Sequence, residues 1–179
     1  MSYSPRNSGN CKSLPSPQQR LNRRARRAYA HLLRGMQGHQ CWLITLTKPH
    51  DLDFGLRQSW HVLRTRLRQK WPDCQAWTVV EWKQRRGVHL HAVVKGTPDI
   101  SAAWVEHVVR LLRDGTEVHI EPVYDPEGLA HYVTKSLADK QVMSGWPKHF
   151  RPVTTTRGWW PEWLSRKEWS ARHRTWGLK

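Results

Sequence analysis

Hydrophobic and polar positions alternate most regularly over residues 87–96, Gly-Val-His-Leu-His-Ala-Val-Val-Lys-Gly. A period of two puts Leu90, Ala92 and Val94 on one face of a strand and His89 and His91 side by side on the other. The apolar stretch from Trp77 to Trp82 predicts the neighbouring antiparallel strand, with Gln84, Arg85, Arg86 and Gly87 turning the corner. Another strand is expected over about 40–47, and one over 117–124. Between them Leu56, Trp60, Leu63 and Leu67 recur at helical spacing, with Arg57, Arg64 and Arg68 outward. Ser101, a good N-cap, opens a helix to Arg113 that turns Val105, Val108, Val109 and Leu112 inward and closes at Gly115. Asp125-Pro126-Glu127-Gly128 opens a further helix whose stripe is Leu129, Val133 and Leu137, with Tyr132 on its flank and Lys135 away from it.

Strand, helix, strand, strand, helix, strand, helix, with a hairpin in the middle, predicts an α+β fold: a sheet of four or five largely antiparallel strands with flanking helices. Four segments are expected. Residues 1–17, rich in Ser, Pro, Asn and Gly, form a disordered tail; 18–34 form a basic helix; 35–157 form one domain; 158–179 form a basic, Trp-rich helix.

Two histidines on one strand face, with Glu81 placed on the adjoining strand, suit one divalent ion held by two imidazoles and a carboxylate with positions left open. The same pattern also suits hydrogen-bonded histidines on a half-buried strand. Tyr132 and Lys135 lie one helical turn apart, and a tyrosine beside an apolar stripe is also a common rim aromatic.

Taken in order, Leu-Ile-Thr-Leu-Thr-Lys-Pro (43–49), Glu81 with His89-Leu90-His91, and Tyr132-Val133-Thr134-Lys135 resemble the three motifs of the HUH endonucleases. The resemblance is narrower to the rolling-circle replication initiators of small plasmids and single-stranded DNA phages. It covers about residues 40–157. It implies an HUH/RRM-like nuclease fold and a metal site of Glu81, His89 and His91 loaded with Mg2+ or Mn2+, although two imidazoles also accept zinc or cobalt. Tyr132 is the implied nucleophile, leaving a 5′-phosphotyrosine and a free 3′-hydroxyl, and Lys135 the cation that favours the phenolate or screens the product. Thr45 and Thr47 of the first motif are candidate DNA contacts. The second tyrosine of the two-tyrosine initiators is missing from the helix turn, since Tyr124 lies before it. A one-tyrosine transposase of the same superfamily is the nearest alternative, but it typically carries Gln where Lys135 stands. A non-catalytic nucleic-acid-binding protein is the third.

Charge adds something the motifs do not contain. Of a formal +16, residues 1–50 carry +9 and residues 140–179 carry +7, around a neutral middle. Basic ends on a neutral centre suggest arms that grip a polyanion. Arg20, Arg23, Arg24, Arg26 and Arg27 form the first cluster, on a helix whose Leu21, Ala25, Ala28, Leu32 and Leu33 make a modest apolar side for docking. In the second, Arg157 precedes Trp159 and Trp160, an exposed pair suited to stacking on bases of single-stranded DNA. Packing of the terminal tryptophans onto the domain is the competing expectation.

The chain has no Gly-x-x-x-x-Gly-Lys-Ser/Thr loop, so unwinding at an origin is expected from a host helicase, with a host polymerase following. Three scattered cysteines argue against a disulfide framework and for a reducing cytoplasm. With no apolar run of transmembrane length and no signal-peptide core, no membrane partner is expected.

Overall fold

The computed structural model describes residues 15–48, 54–83, 87–110, 116–146 and 149–159. Outside them lie most of the expected amino-terminal tail, the corner at 84–86, the end of the helix expected to reach Arg113, Trp160 and the expected terminal helix.

The chain runs α1 (Pro17–Met36), β1 (Cys41–Lys48), α2 (Phe54–Lys70), β2 (Gln75–Lys83), β3 (Gly87–Lys95), α3 (Ala102–Arg110), β4 (Glu117–Pro122), α4 (Pro126–Thr134), a 3₁₀ helix (Lys135–Ala138), α5 (Lys140–Ser144) and β5 (Val153–Thr155). The strands form one sheet in the order β4-β1-β3-β2-β5, every neighbouring pair antiparallel. The fold is thus α+β, and the segment from β1 to β4 has the split β-α-β arrangement, with β3 lying between β1 and β2. Gly87 opens β3 at φ 77°, a left-handed backbone that glycine takes without strain.

Strand alternation divides the interior into two cores. On one face Ile44, Leu46, Ala76, Val80, Leu90, Ala92 and Val94 pack against Leu56, Trp60, Leu63 and Leu67 of α2 and Val105, Val108 and Val109 of α3. On the other, Leu43, Trp77, Val79 and Val93 meet Ala28, Leu32 and Met36 of α1, Ala130 and Val133 of α4, and Leu137 just beyond it. The basic helix therefore docks. A capping box of Ser16 and Gln19 fixes its start, and Gln18 Nε2 donates to the carbonyl of Ala138 at 2.9 Å, tying it to the turn after α4.

Trp159 corrects the expected exposed Trp159-Trp160 pair. It is 1% exposed. Its indole occupies the space above Gly35, where a Cβ would overlap it, and its Nε1–H donates to the His31 carbonyl at 3.3 Å. Beneath it Lys95, itself buried, donates to the carbonyls of Gly35 at 2.8 Å and Trp159 at 3.1 Å. A large ring with two such neighbours gains more from burial than from exposure. Trp159 has no face left for a base.

Candidate active site

On the face shared with α1 and α4, the polar residues gather at one end of the sheet. The antiparallel register sets Thr45 and Val79 opposite His91, and Thr47 and Glu81 opposite His89. Directly paired residues share a face, so five polar side chains stand in two adjacent cross-strand rows. Further along the same strand, Val93 lies in an apolar row with Leu43 and Trp77, and Lys95 passes beneath α1 to reach the Gly35 carbonyl.

The two imidazoles lie parallel, with centroids 6.2 Å apart and an 8° angle between planes. Each is gripped from β1. Thr45 Oγ1 is 3.0 Å from Nδ1 of His91, and Thr47 Oγ1 is 2.9 Å from Nδ1 of His89. The Glu81 carboxylate reaches diagonally past its partner, and Nε2 of His91 donates to Oε2 at 3.3 Å. That pair is shielded from water, the side chains being 5% and 15% exposed.

Tyr132 comes to this cluster from α4. Its ring meets the His91 ring edge-on, centroids 5.7 Å apart at 72°, while remaining 53% exposed. The opposite side of α4, Ala130 and Val133, is buried against α1, and Tyr29 of α1 packs on His131 at 4.5 Å between centroids. The Asp125 side chain caps the helix by accepting from Gly128 N–H at 2.9 Å. Lys135 begins the 3₁₀ helix and is exposed. Tyr124, before α4, is 89% exposed.

Apart from Lys135, Trp159 and Trp160, the expected site residues fall into three groups. Glu81, His89, His91 and Tyr132 are brought together. Thr45 and Thr47, expected at the DNA, are half-buried with their hydroxyls directed at the histidines, a role legible only once the register of β1 on β3 is known. Arg20, Arg23, Arg26 and Arg27 are exposed along α1, and Arg24 is half-buried, with burial lowering its pKa; Arg157 is exposed. Glu117 and His119 on β4, opposite Thr47 and Thr45, extend the same rows to the exposed edge and had no sequence signal of their own.

The donor set of two imidazoles and a carboxylate fits a divalent ion chemically, and hydroxyls on both Nδ1 atoms supply the outer-shell orientation that ligating histidines need. Among the described residues, no three His, Cys, Asp or Glu side chains converge at metal-ligating spacing. His91 and Glu81 instead bond to each other. Also among the described residues, no helix is long and apolar enough to cross a membrane. Cys41 and Cys74 are free and buried in opposite cores, which pushes each thiol up to about 11.

No protein-family model matches the chain, and no curated protein does. Among solved structures, the chain is similar to a hypothetical protein, ORF119, from Sulfolobus islandicus rod-shaped virus 1: 14% identity, 59% of this chain and 90% of that one covered, TM-score 0.47.

Proposed function

We propose that this chain is a one-tyrosine HUH endonuclease and strand transferase, a replication initiator that nicks and rejoins single-stranded DNA at an origin. One observation carries the reading. A tyrosine on a separate helix is set edge-on against the inner member of a paired-histidine strand and is half-exposed.

Glu81, His89 and His91 would hold a divalent cation, Mg2+ or Mn2+, which neutralises charge on a scissile phosphate when bound. Tyr132 Oη attacks the phosphorus in line. The bond to the 3′ oxygen breaks, a 5′-phosphotyrosine forms, the phenolic proton is released and the departing 3′ oxygen takes one up. The phosphodiester energy is retained in the adduct, so attack by a 3′-hydroxyl reverses the step and joins strands without ATP. Lys135, one turn on and exposed, offsets the charge of the phosphotyrosine. The arginines of α1 hold the flanking strand, and a host helicase and polymerase in the cytoplasm complete the cycle.

The test is covalent capture. The full chain is incubated with single-stranded DNA from the element that encodes it, with Mg2+ or Mn2+, and resolved under denaturing conditions. The expected result is an adduct at Tyr132 that chelation abolishes. Tight binding with no adduct on any segment of that DNA would leave a nucleic-acid-binding module instead.

A further inference from the structure

The hydrogen bonds around His91 lead to a role for Thr45. An ionised carboxylate only accepts, so the 3.3 Å contact with Glu81 puts the proton of a neutral His91 on Nε2. Nδ1 is then an acceptor, and Thr45 Oγ1 at 3.0 Å must donate to it. A cation takes the lone pair of Nε2, which requires the opposite tautomer, with Nδ1–H donating to a partner. His91 is 4% exposed, so water has little access to either ring nitrogen. The group beside Nδ1 must serve as donor in one and acceptor in the other.

A carbonyl or carboxylate there could only accept, and would bias the ring against the Glu81-bound state. A hydroxyl does both by rotating about its C–O bond. We propose that Thr45 is a reversible hydrogen-bond partner that lets His91 exchange its bond to Glu81 for a metal without leaving either ring nitrogen unsatisfied. Thr45 is a positioning residue. The inference rests on the metal site proposed above, and predicts in addition which nitrogen of His91 carries the proton in each state.

The experiment uses the full chain, 15N-labelled, and two-bond proton–nitrogen correlation spectra of the imidazoles at a pH where the rings are neutral, with zinc as a diamagnetic, imidazole-seeking probe. His91 signals are assigned by their loss in His91→Gln. The metal-free protein should show His91 protonated on Nε2, and saturating zinc should move the proton to Nδ1. Thr45→Val, near in shape but without the hydroxyl, should keep the Nε2–H form in the metal-free state and bind zinc roughly tenfold more weakly, the low end of the effect of losing an outer-shell partner. Thr45→Ser should restore wild-type affinity and both spectra, which also excludes a mere packing defect in Thr45→Val. A metal-free His91 already protonated on Nδ1, or wild-type zinc affinity in Thr45→Val, would overturn the role of Thr45 while leaving the metal site intact. Zinc that leaves the His89 and His91 rings unperturbed would overturn the metal site and the exchange together.

Discussion

Two tyrosines near the site separate chemistry from packing at the scale of single residues. Tyr132 touches His91 and Tyr124 is almost wholly exposed. Each Tyr→Phe change removes one oxygen and leaves the ring. Tyr132→Phe is therefore expected to abolish the covalent adduct, and Tyr124→Phe to retain it; mapping of the adducted peptide by mass spectrometry to any other residue would identify a different nucleophile. His91→Ala takes away the ring that meets Thr45, Glu81 and Tyr132 together, and cleavage should fall below detection while oligonucleotide binding largely persists. The two histidines and Glu81 were legible in the sequence because a period of two needs only local information. The work of Thr45 and Thr47 was not, since a strand tens of residues earlier can be registered on β3 in several ways and a slip of one residue would reverse its faces.

Helix α1 shows why an element's composition and its role can diverge. Its arginines suggested an arm, yet Ala28, Leu32 and Met36 are core, and the helix backs the side of α4 opposite Tyr132. The modest apolar stripe was visible in the sequence; its partner was not. The ring of Trp159 closes the carboxyl end of α1 over Gly35 and Lys95, so Trp159→Ala should cost about 3–5 kcal/mol of stability, the usual effect of removing a buried indole, measured by denaturant unfolding. Unchanged stability would mean that the indole does not fill that space. A second consequence concerns pH. Burial lowers His31, whose carbonyl receives the indole N–H, to about 4 from 6.5. Between those values the unfolded chain binds the proton and the folded one does not, so stability present above about pH 6.5 is lost as pH falls towards 4, by at most ~3 kcal/mol. His31→Leu should flatten that part of the pH–stability curve. The short elements β5 and α5 escaped sequence reading for a simpler reason: three and five residues are too few for a period to declare itself.

At the scale of the whole molecule, the docking of α1 changes how its charge can be tested. Deleting residues 1–34 would strip Ala28 and Leu32 from the core, and any fall in DNA binding would then report unfolding. Substitution on the exposed side avoids this. Arg20, Arg23, Arg26 and Arg27 all face solvent on a helix that adjoins the tyrosine helix, whereas Arg66 and Arg68 face solvent from α2, on the opposite face of the sheet. The two sets should behave differently although each carries only guanidinium charge. Changing the four α1 arginines to Gln should weaken single-stranded DNA binding and flatten the dependence of log affinity on log salt by ~0.7 for each phosphate that is no longer neutralised. Cleavage of a short substrate at low salt should survive, because Glu81, His89, His91 and Tyr132 are untouched. Arg66→Gln with Arg68→Gln should leave the slope unchanged, since counterions are released only where phosphates lie. Equal effects from both sets would mean that binding follows net charge rather than a face, and no strand would then be guided along α1 towards Tyr132.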